Sequence, residues 1–178
     1  VKMEKEVRNL AITEEKAYHI RMHLKVTQRE FANLLGVSAS YVSNWENGYN
    51  EITIVMLNKI CNLGNTTFDY MMGLSDVINP LVHSIENVDK IHLGKKLKQI
   101  RKSSGYTQEK LAKKIHTHRF LISDYETGRK AISTADLKQI CETFGYSADW
   151  CVGKLDECVR YNPINKIKTK EIKELVHN

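Results

Sequence analysis

Histidine and cysteine are the side chains of this sequence best suited to nucleophilic, acid–base or metal-binding chemistry. The chain has seven histidines and four cysteines, but none stands in an HExxH motif, a CxxC motif, a phosphate-binding loop or a catalytic-triad signature. The closest pair, His116 and His118, falls in a short segment between two predicted helices. The pattern therefore argues against an enzyme, a metal site, a cofactor and a disulfide framework. The cysteines are expected to be buried thiols in a reducing cytoplasm: Cys61, Cys141, Cys151 and Cys158.

Positive charge is concentrated in the second half of the chain. Lys and Arg (27) outnumber Asp and Glu (21), which gives a formal net charge of +6 and a pI near 9.1. Residues 90–154 hold 14 basic and 6 acidic side chains, whereas residues 1–77 hold 8 and 9. Because phosphate neutralisation supplies non-specific affinity for nucleic acids, the second half is expected to be the main anchor on a polyanion. No window is long and apolar enough to span a membrane, so no membrane partner is expected.

An internal repeat organises the chain. Residues 27–73 align without a gap with residues 107–153, at an offset of 80 residues. A match of this length indicates a duplicated domain. Identical pairs include Thr27/Thr107, Ala32/Ala112, Ser43/Ser123, Glu46/Glu126 and Gly48/Gly128.

Each copy is predicted to form five short helices, because apolar residues recur at helical spacing between helix-start and helix-stop residues. The fold class is therefore all-α, with two five-helix domains in tandem. In the first copy the helices are predicted near 14–24, from Thr27 to Gly36, and near 39–47, 53–63 and 67–72. In the second copy they are predicted near 91–104, 108–115, 119–127, 134–144 and 148–152.

Local signals mark the second helix of each copy. Thr27 and Glu30 have the spacing of a capping box, and Gly36 suits a turn with positive φ. His116 replaces that glycine in the second copy, so some backbone strain is expected there. The fourth helix of the first copy is expected to bury Val55, Met56, Ile60 and Cys61.

The two copies share the pattern T-Q-x-x-[FL]-A-x-x-[LI]-x(6)-[VI]-S-x-[WY]-E-x-G. This pattern resembles the phage-repressor-like (Xre-type) helix-turn-helix family. The resemblance implies two compact domains that bind an operator in double-stranded DNA, with the N-terminal residues of each third helix against base edges in the major groove. A helix of nine residues is about 13 Å long, which fits a groove about 12 Å wide.

The same resemblance assigns roles by position. Gln28 and Gln108 are expected to contact phosphate and to steady the third helix. In the first copy Asn44 is expected to read adenine, because its amide matches the N6/N7 edge. The other first-copy candidates are Ser38, Ala39, Ser40 and Ser43 at the base edges, and Asn47, Tyr49 and Asn50 at phosphates.

In the second copy Arg119 is the strongest candidate, because arginine makes a bidentate contact with guanine. Phe120 is expected to touch a thymine methyl group, and Asp124 either to accept from cytosine or to orient Arg119. The remaining candidates are His118 and Ser123 at the base edges, and Thr127, Arg129 and Lys130 at phosphates. The resemblance also implies a structural ion pair in each copy, between Arg21 and Glu46 and between Arg101 and Glu126.

The segments outside the repeats complete the predicted organisation. We expect domains at 1–77 and 90–154, and a linker at 78–89 that packs as a short helix. The C-terminal segment 155–178 is expected to hold a short strand and an amphipathic helix whose apolar stripe needs a partner. Packing on the second domain and self-association as a dimer or tetramer are both open, and self-association is favoured. The residues assigned to it are Val159, Tyr161, Ile164, Ile167, Ile172, Leu175 and Val176.

The predicted function is that of a sequence-specific, non-enzymatic transcriptional regulator. Its domain organisation resembles that of two-domain repressors of conjugative plasmids. Repressors of phages or transposons fit almost as well. Two alternatives remain open at this stage. The first domain is slightly acidic and is a candidate for binding an antirepressor or another protein instead of DNA. The chain also fits an antitoxin that represses its own promoter.

Overall fold

The computed structural model describes residues 12–161, in which ten α-helices form two units. The first unit ends at Pro80 and also includes Ser84–Val88, while the second includes Leu81–His83 and continues from Asp89. The all-α prediction, with two five-helix repeats, is confirmed.

Each unit contains five helices in the same order. Their boundaries agree with the predicted ranges to within one or two residues. In the first unit they are α1 (Ile12–His23), α2 (Gln28–Leu35), α3 (Ala39–Glu46), α4 (Ile54–Leu63) and α5 (Phe68–Met71). In the second they are α6 (Lys90–Ser103), α7 (Gln108–Lys114), α8 (Arg119–Glu126), α9 (Thr134–Phe144) and α10 (Ala148–Val152).

Side-chain caps explain where most of these helices begin. The Thr27 hydroxyl accepts from the backbone N–H of Glu30, and the Glu30 carboxylate accepts in return from the N–H of Thr27, so the predicted capping box is present. The hydroxyl group of Ser38 likewise accepts from the N–H of Tyr41 at the start of α3. His118 precedes α8 and makes no side-chain cap bond. The two third helices therefore begin with unequal local support.

The turn before the third helix also differs between the units. Gly36 has a φ of +72° and His116 a φ of +56°. Both lie in the left-handed region, where a side chain is strained. The backbone strain expected at His116 therefore lies in the turn between α7 and α8.

The core of the first unit differs from the prediction at α4. Ile54 and Leu57 are buried along this helix, together with Ile60 and Cys61. The prediction that Val55 and Met56 are buried is wrong: Val55 is 45% exposed and Met56 is half-buried. Because residues 54–57 are four consecutive apolar residues, the hydrophobic periodicity does not specify which face of this helix is buried.

The two units differ at one buried position of the first helix. In the first unit the buried carboxylate of Glu14 accepts from the backbone N–H of Ile52, at 2.9 Å. In the second unit Gly94 stands at the position of Glu14. A Cβ atom there would lie 2.4 Å from the carbonyl oxygen of Tyr125. The absence of a side chain at Gly94 therefore lets α6 approach the end of α8 closely.

The linker forms no helix, contrary to the prediction. Residues 74–89 are turns, bends and coil. Part of the linker is nevertheless held by the first unit, because Asn62 on α4 donates to the carbonyl oxygen of Ile85 at 2.8 Å. Asn58 donates to the carbonyl oxygens of Ile85 and Glu86, at 3.0 and 3.3 Å.

The residues that follow α10 pack on the second unit. The N–H of Ser147 donates to Val159 at 3.1 Å, and the N–H of Tyr161 donates to Gly145 at 2.7 Å. The predicted strand is reduced to one isolated antiparallel bridge, between Tyr146 and Arg160. Val159 and Tyr161, which were assigned to self-association, thus pair with their own unit. The other assigned residues lie outside the described range: Ile164, Ile167, Ile172, Leu175 and Val176.

The cysteines also depart from expectation at one position. Cys61, Cys141 and Cys151 are buried thiols, as predicted, but Cys158 is exposed. Within residues 12–161 no group of three or more metal-ligating side chains is close enough to hold an ion. None of the helices in this range is long and apolar enough to cross a membrane.

Candidate nucleic-acid interface

The helix α3 has a polar side that faces outward and an apolar side that is buried in the first unit. Val42 and Trp45 are fully buried beneath it, and the Trp45 ring contacts the Tyr41 ring with centroids 4.9 Å apart. The base-edge candidates lie on the opposite side. Ser38, Ala39 and Ser40 are exposed, while Ser43 and Asn44 are half-buried.

The helix α8 has the same kind of buried side but a different outer face. Ile122 and Tyr125 are buried, and the Tyr125 hydroxyl donates to Asp136 on α9 at 2.8 Å. Arg119 and Phe120 are exposed in the first turn, with Phe120 79% accessible. A long cation and an exposed aromatic ring therefore stand where α3 has only Ala39 and Ser40.

A buried bidentate ion pair fixes the third helix of each unit. Arg21 contacts Glu46 through two nitrogen atoms, and Arg101 contacts Glu126 in the same way. The remaining guanidinium nitrogens donate to the carbonyl oxygens of Val26 and Tyr106. The hydrogen bonds to the glutamates raise the pKa of both arginines above its usual value. Both arginines therefore stay charged at any physiological pH.

The glutamine at the start of the second helix joins the same network. Gln28 donates from its amide nitrogen to Glu46 at 2.6 Å, and Gln108 donates to Glu126 at 3.0 Å. An amide nitrogen carries two hydrogens, so one donor of each glutamine remains for another acceptor. The expected role of steadying the third helix has a direct structural basis here, while contact with phosphate remains a prediction.

The residues just past α3 are partly tied to that helix. The Asn47 amide donates to the carbonyl oxygen of Ser43 at 2.8 Å and to the Ser43 hydroxyl at 3.1 Å. Tyr49 is 78% exposed, and Asn50 is also exposed. Tyr49 and Asn50 are therefore accessible to a ligand, whereas Asn47 extends the end of the helix.

The corresponding residues past α8 are arranged around an ion pair that the sequence did not reveal. Arg129 lies 2.9 Å from the carboxylate of Asp124, and it donates to the Ser123 hydroxyl at 3.4 Å. The partner of Asp124 is thus Arg129, and the structure shows no contact between Asp124 and Arg119. Thr127 donates to the carbonyl oxygen of Ser123, while Lys130 is exposed. A spacing of five residues across a helix end matches no standard helix-surface pair, so sequence reasoning missed it.

Most of the positive charge of the second unit lies on its surface, although Arg101 and Lys154 are buried. Exposed lysines occupy α6 and α7 at positions where the first unit has acidic, neutral or apolar residues. The pairs are Lys95/Glu15, Lys98/Tyr18, Lys102/Met22, Lys113/Asn33 and Lys114/Leu34. The difference in net charge between the two halves therefore lies mainly on exposed surface.

Comparison with known proteins identifies both units. A helix-turn-helix family model matches residues 18–71 and 97–151, which span α1–α5 and α6–α10 in large part. The chain is 34% identical over 86 residues to the HTH-type transcriptional regulator ImmR of Bacillus subtilis, a match covering 47% of this chain and 67% of ImmR. It is 30% identical over 56 residues to the antitoxin PezA of Streptococcus pneumoniae, covering 32% of this chain and 35% of PezA.

Proposed function

The chain belongs to the helix-turn-helix family, and from that premise we propose that it is a sequence-specific transcriptional regulator that reads operator DNA with α3 and α8. The observation that carries the proposal is the pair of short helices, each with an exposed first turn and a buried ion pair at its last residue. Such a helix fits the major groove and reads base edges from its N-terminal residues. The similarity to a transcriptional regulator supports the same conclusion.

We assign the strongest base readout to α8. The exposed guanidinium of Arg119 has the donor geometry for guanine O6 and N7, and a good bidentate contact is worth about 1–3 kcal/mol of discrimination. The ring of Phe120 offers an apolar surface to a thymine methyl group. Asp124 is held by Arg129, so its role is to position that arginine for a phosphate contact.

We assign a weaker and different readout to α3. Asn44 is the residue that suits adenine, and Ala39 leaves room for a thymine methyl group. Ser38, Ser40 and Ser43 are short polar side chains that accept either kind of base edge. The first unit thus contributes specificity with little electrostatic attraction.

Phosphate contacts are assigned mainly to the second unit. Arg129 and Lys130 are exposed just past α8, where the first unit has Tyr49 and Asn50. Each lysine or arginine that neutralises a phosphate raises the salt dependence of binding. The second unit therefore anchors the protein to any duplex, and both units together select the site.

We further propose that the chain represses genes of a mobile element and associates with itself through residues 162–178. A regulator seated on operator DNA blocks access of polymerase to an overlapping promoter. The apolar stripe that the sequence predicts for the C-terminal segment calls for a partner surface, and most soluble oligomers are symmetric assemblies of identical chains.

A second candidate function is that of an antitoxin acting on its own promoter. The similarity to the antitoxin PezA favours it. The same DNA-binding surface serves both functions, so the discriminating feature is a toxin partner. Co-purification of the full chain with the product of an adjacent gene would select this alternative.

Selection from a random duplex library with the full-length chain tests the main proposal. We expect an enriched motif that contains guanine. Arg129→Ala with Lys130→Ala should weaken binding to all duplexes and lower the salt slope by up to about 2. Tyr49→Ala with Asn50→Ala, at the equivalent positions of the first unit, should leave the salt slope unchanged.

Arg119→Ala removes only one charge, so the salt slope of binding should change little. The preference for guanine should be lost. An unenriched library with the wild-type chain would overturn the proposal. An equal loss of specificity from both changes would overturn the assignment of separate roles.

A further inference from the structure

The first unit carries an open groove of about 720 Å³ between α1 and the turn that follows α4. Its apolar lining comes from Ile12, Ile20, Leu24, Leu63 and the ring of Tyr70. Glu15, His19 and His23 stand at its polar side. A cavity of this size and composition is typical of a binding site.

The second unit closes the equivalent place with its own residues. Phe144 and Tyr146 stand where the first unit has Gly64 and Thr66. The Tyr146 ring stacks on Trp150, and its hydroxyl lies 3.3 Å from that of Ser103. The guanidinium group of Arg160 also lies over the Tyr146 ring, 4.5 Å from its centroid.

The apolar lining is also particular to the first unit. Ile12, Leu24 and Leu63 correspond to three polar residues of the second unit, which are His92, Ser104 and Thr143. One copy of the repeat therefore has small residues that open the groove and large apolar residues that line it. The combination has the properties of a docking surface for an apolar segment.

We propose that this groove binds residues 162–178 of a second copy of the chain, so that two chains associate by exchanging C-terminal segments. The inference rests on the self-association proposed above and adds the place where the segment binds. The segment carries Ile164, Ile167, Ile172 and Leu175 at helical spacing. An amphipathic segment of this kind docks its apolar side into a hydrophobic groove.

Charge favours the first unit as the docking partner. Residues 162–178 contain four lysines and two glutamates, residues 90–154 carry a net +8, and residues 1–77 carry a net −1. A basic segment is therefore repelled by the second unit more than by the first, where Glu15 stands beside the groove. The groove also contains Lys16, whose ammonium group donates to the carbonyl oxygen of Tyr70 and lies over the Tyr70 ring.

The length of the segment allows exchange between copies. Tyr161 is fixed to the second unit by its bond to Gly145, and the seventeen residues after it reach roughly 25 Å as a helix and about 55 Å when extended. A reciprocal exchange makes the same contact twice and closes a two-fold dimer.

Mass measurement of full-length variants in solution tests the exchange. The segment variant is Ile167→Glu with Ile172→Glu, and the groove variant is Leu24→Ser with Leu63→Thr, which takes the residues of the second unit. Each variant alone is expected to weaken self-association at least about tenfold. Mixing the two, each with a different fluorescent label, is expected to give a heterodimer that neither forms alone, because one intact groove then meets one intact segment.

A surface substitution provides a second test that does not depend on the folding of the groove variant. Glu15→Lys changes an exposed residue and is expected to weaken self-association several-fold, while Lys95→Glu, the matched change in the second unit, leaves it unchanged. Wild-type association in the segment or groove variant would overturn the proposal, as would a mixture that stays monomeric. These readouts need no DNA, so they stand or fall separately from the selection experiment.

Discussion

At the scale of single residues, Glu126 joins three helices of the second unit. Its carboxylate accepts from Arg101 on α6 and from Gln108 on α7, while Glu126 itself ends α8. Glu46 makes the same connections to α1 and α2 in the first unit. One buried carboxylate therefore ties the end of the third helix of each unit to the first and second helices.

The substitution Glu126→Gln leaves the Arg101 cation buried without its counter-ion. Removing one partner of a buried pair costs about 3–5 kcal/mol, and we expect a loss of that size in the free energy of unfolding from urea titrations. The matched control is Glu109→Gln, which removes an exposed partner of Lys113 at 3.5 Å. Its cost should stay below about 0.5 kcal/mol. Equal costs would mean that the buried pair contributes no more than a surface pair.

The turn before the third helix allows reciprocal substitutions between the two units. Gly36 and His116 occupy equivalent positions with positive φ, and an added Cβ at Gly36 would meet only the Lys59 ammonium group, at 3.7 Å. The backbone conformation therefore dominates both substitutions. His116→Gly should raise the melting temperature and Gly36→His should lower it, each by the equivalent of about 0.5–1 kcal/mol. A gain from Gly36→His would contradict the strain argument.

At the scale of helices, α8 begins without the side-chain cap that α3 has. A Ser, Thr, Asn or Asp cap contributes about 0.5–2 kcal/mol relative to a residue without one. We expect His118→Ser to stabilise the second unit by about 1 kcal/mol and Ser38→Ala to destabilise the first by a similar amount. Thermal unfolding followed by circular dichroism measures both. A neutral result for both changes would show that tertiary contacts alone hold these helix starts.

The sequence predicted the helices well because their starts and stops are local. Thr27 with Glu30 and the glycines at turns act within a few residues, so ten helices could be placed to within one or two positions. The buried face of α4 was harder, because all of residues 54–57 are apolar. The partners of Gln28 and Asp124 depend on how helices meet and on how a loop returns, which no local spacing encodes.

At the scale of the whole chain, the amides on α4 hold the linker to the first unit. Asn58→Ala with Asn62→Ala removes three hydrogen bonds to the carbonyls of Ile85 and Glu86. We expect faster hydrogen exchange and faster proteolysis in residues 84–88, because this coil segment then loses the side chains that fix it.

The second unit supplies a matched control for the linker variant. Lys138 and Glu142 occupy the equivalent positions on α9 and pair with each other at 4.0 Å. Lys138→Ala with Glu142→Ala should leave exchange in residues 84–88 unchanged. Equal acceleration by both double substitutions would indicate a general loss of stability.

The unlike outer faces of α3 and α8 bear on how the protein sits along a duplex. Two identical readers related by a two-fold axis suit a palindrome and do not distinguish its two directions. The two readers proposed for this chain differ, with Ala39 and Ser40 on α3 and Arg119 and Phe120 on α8, so a single chain lacks that equivalence. We therefore expect an asymmetric half-site. Inverting this half-site beside a promoter should reverse which unit faces the start of transcription.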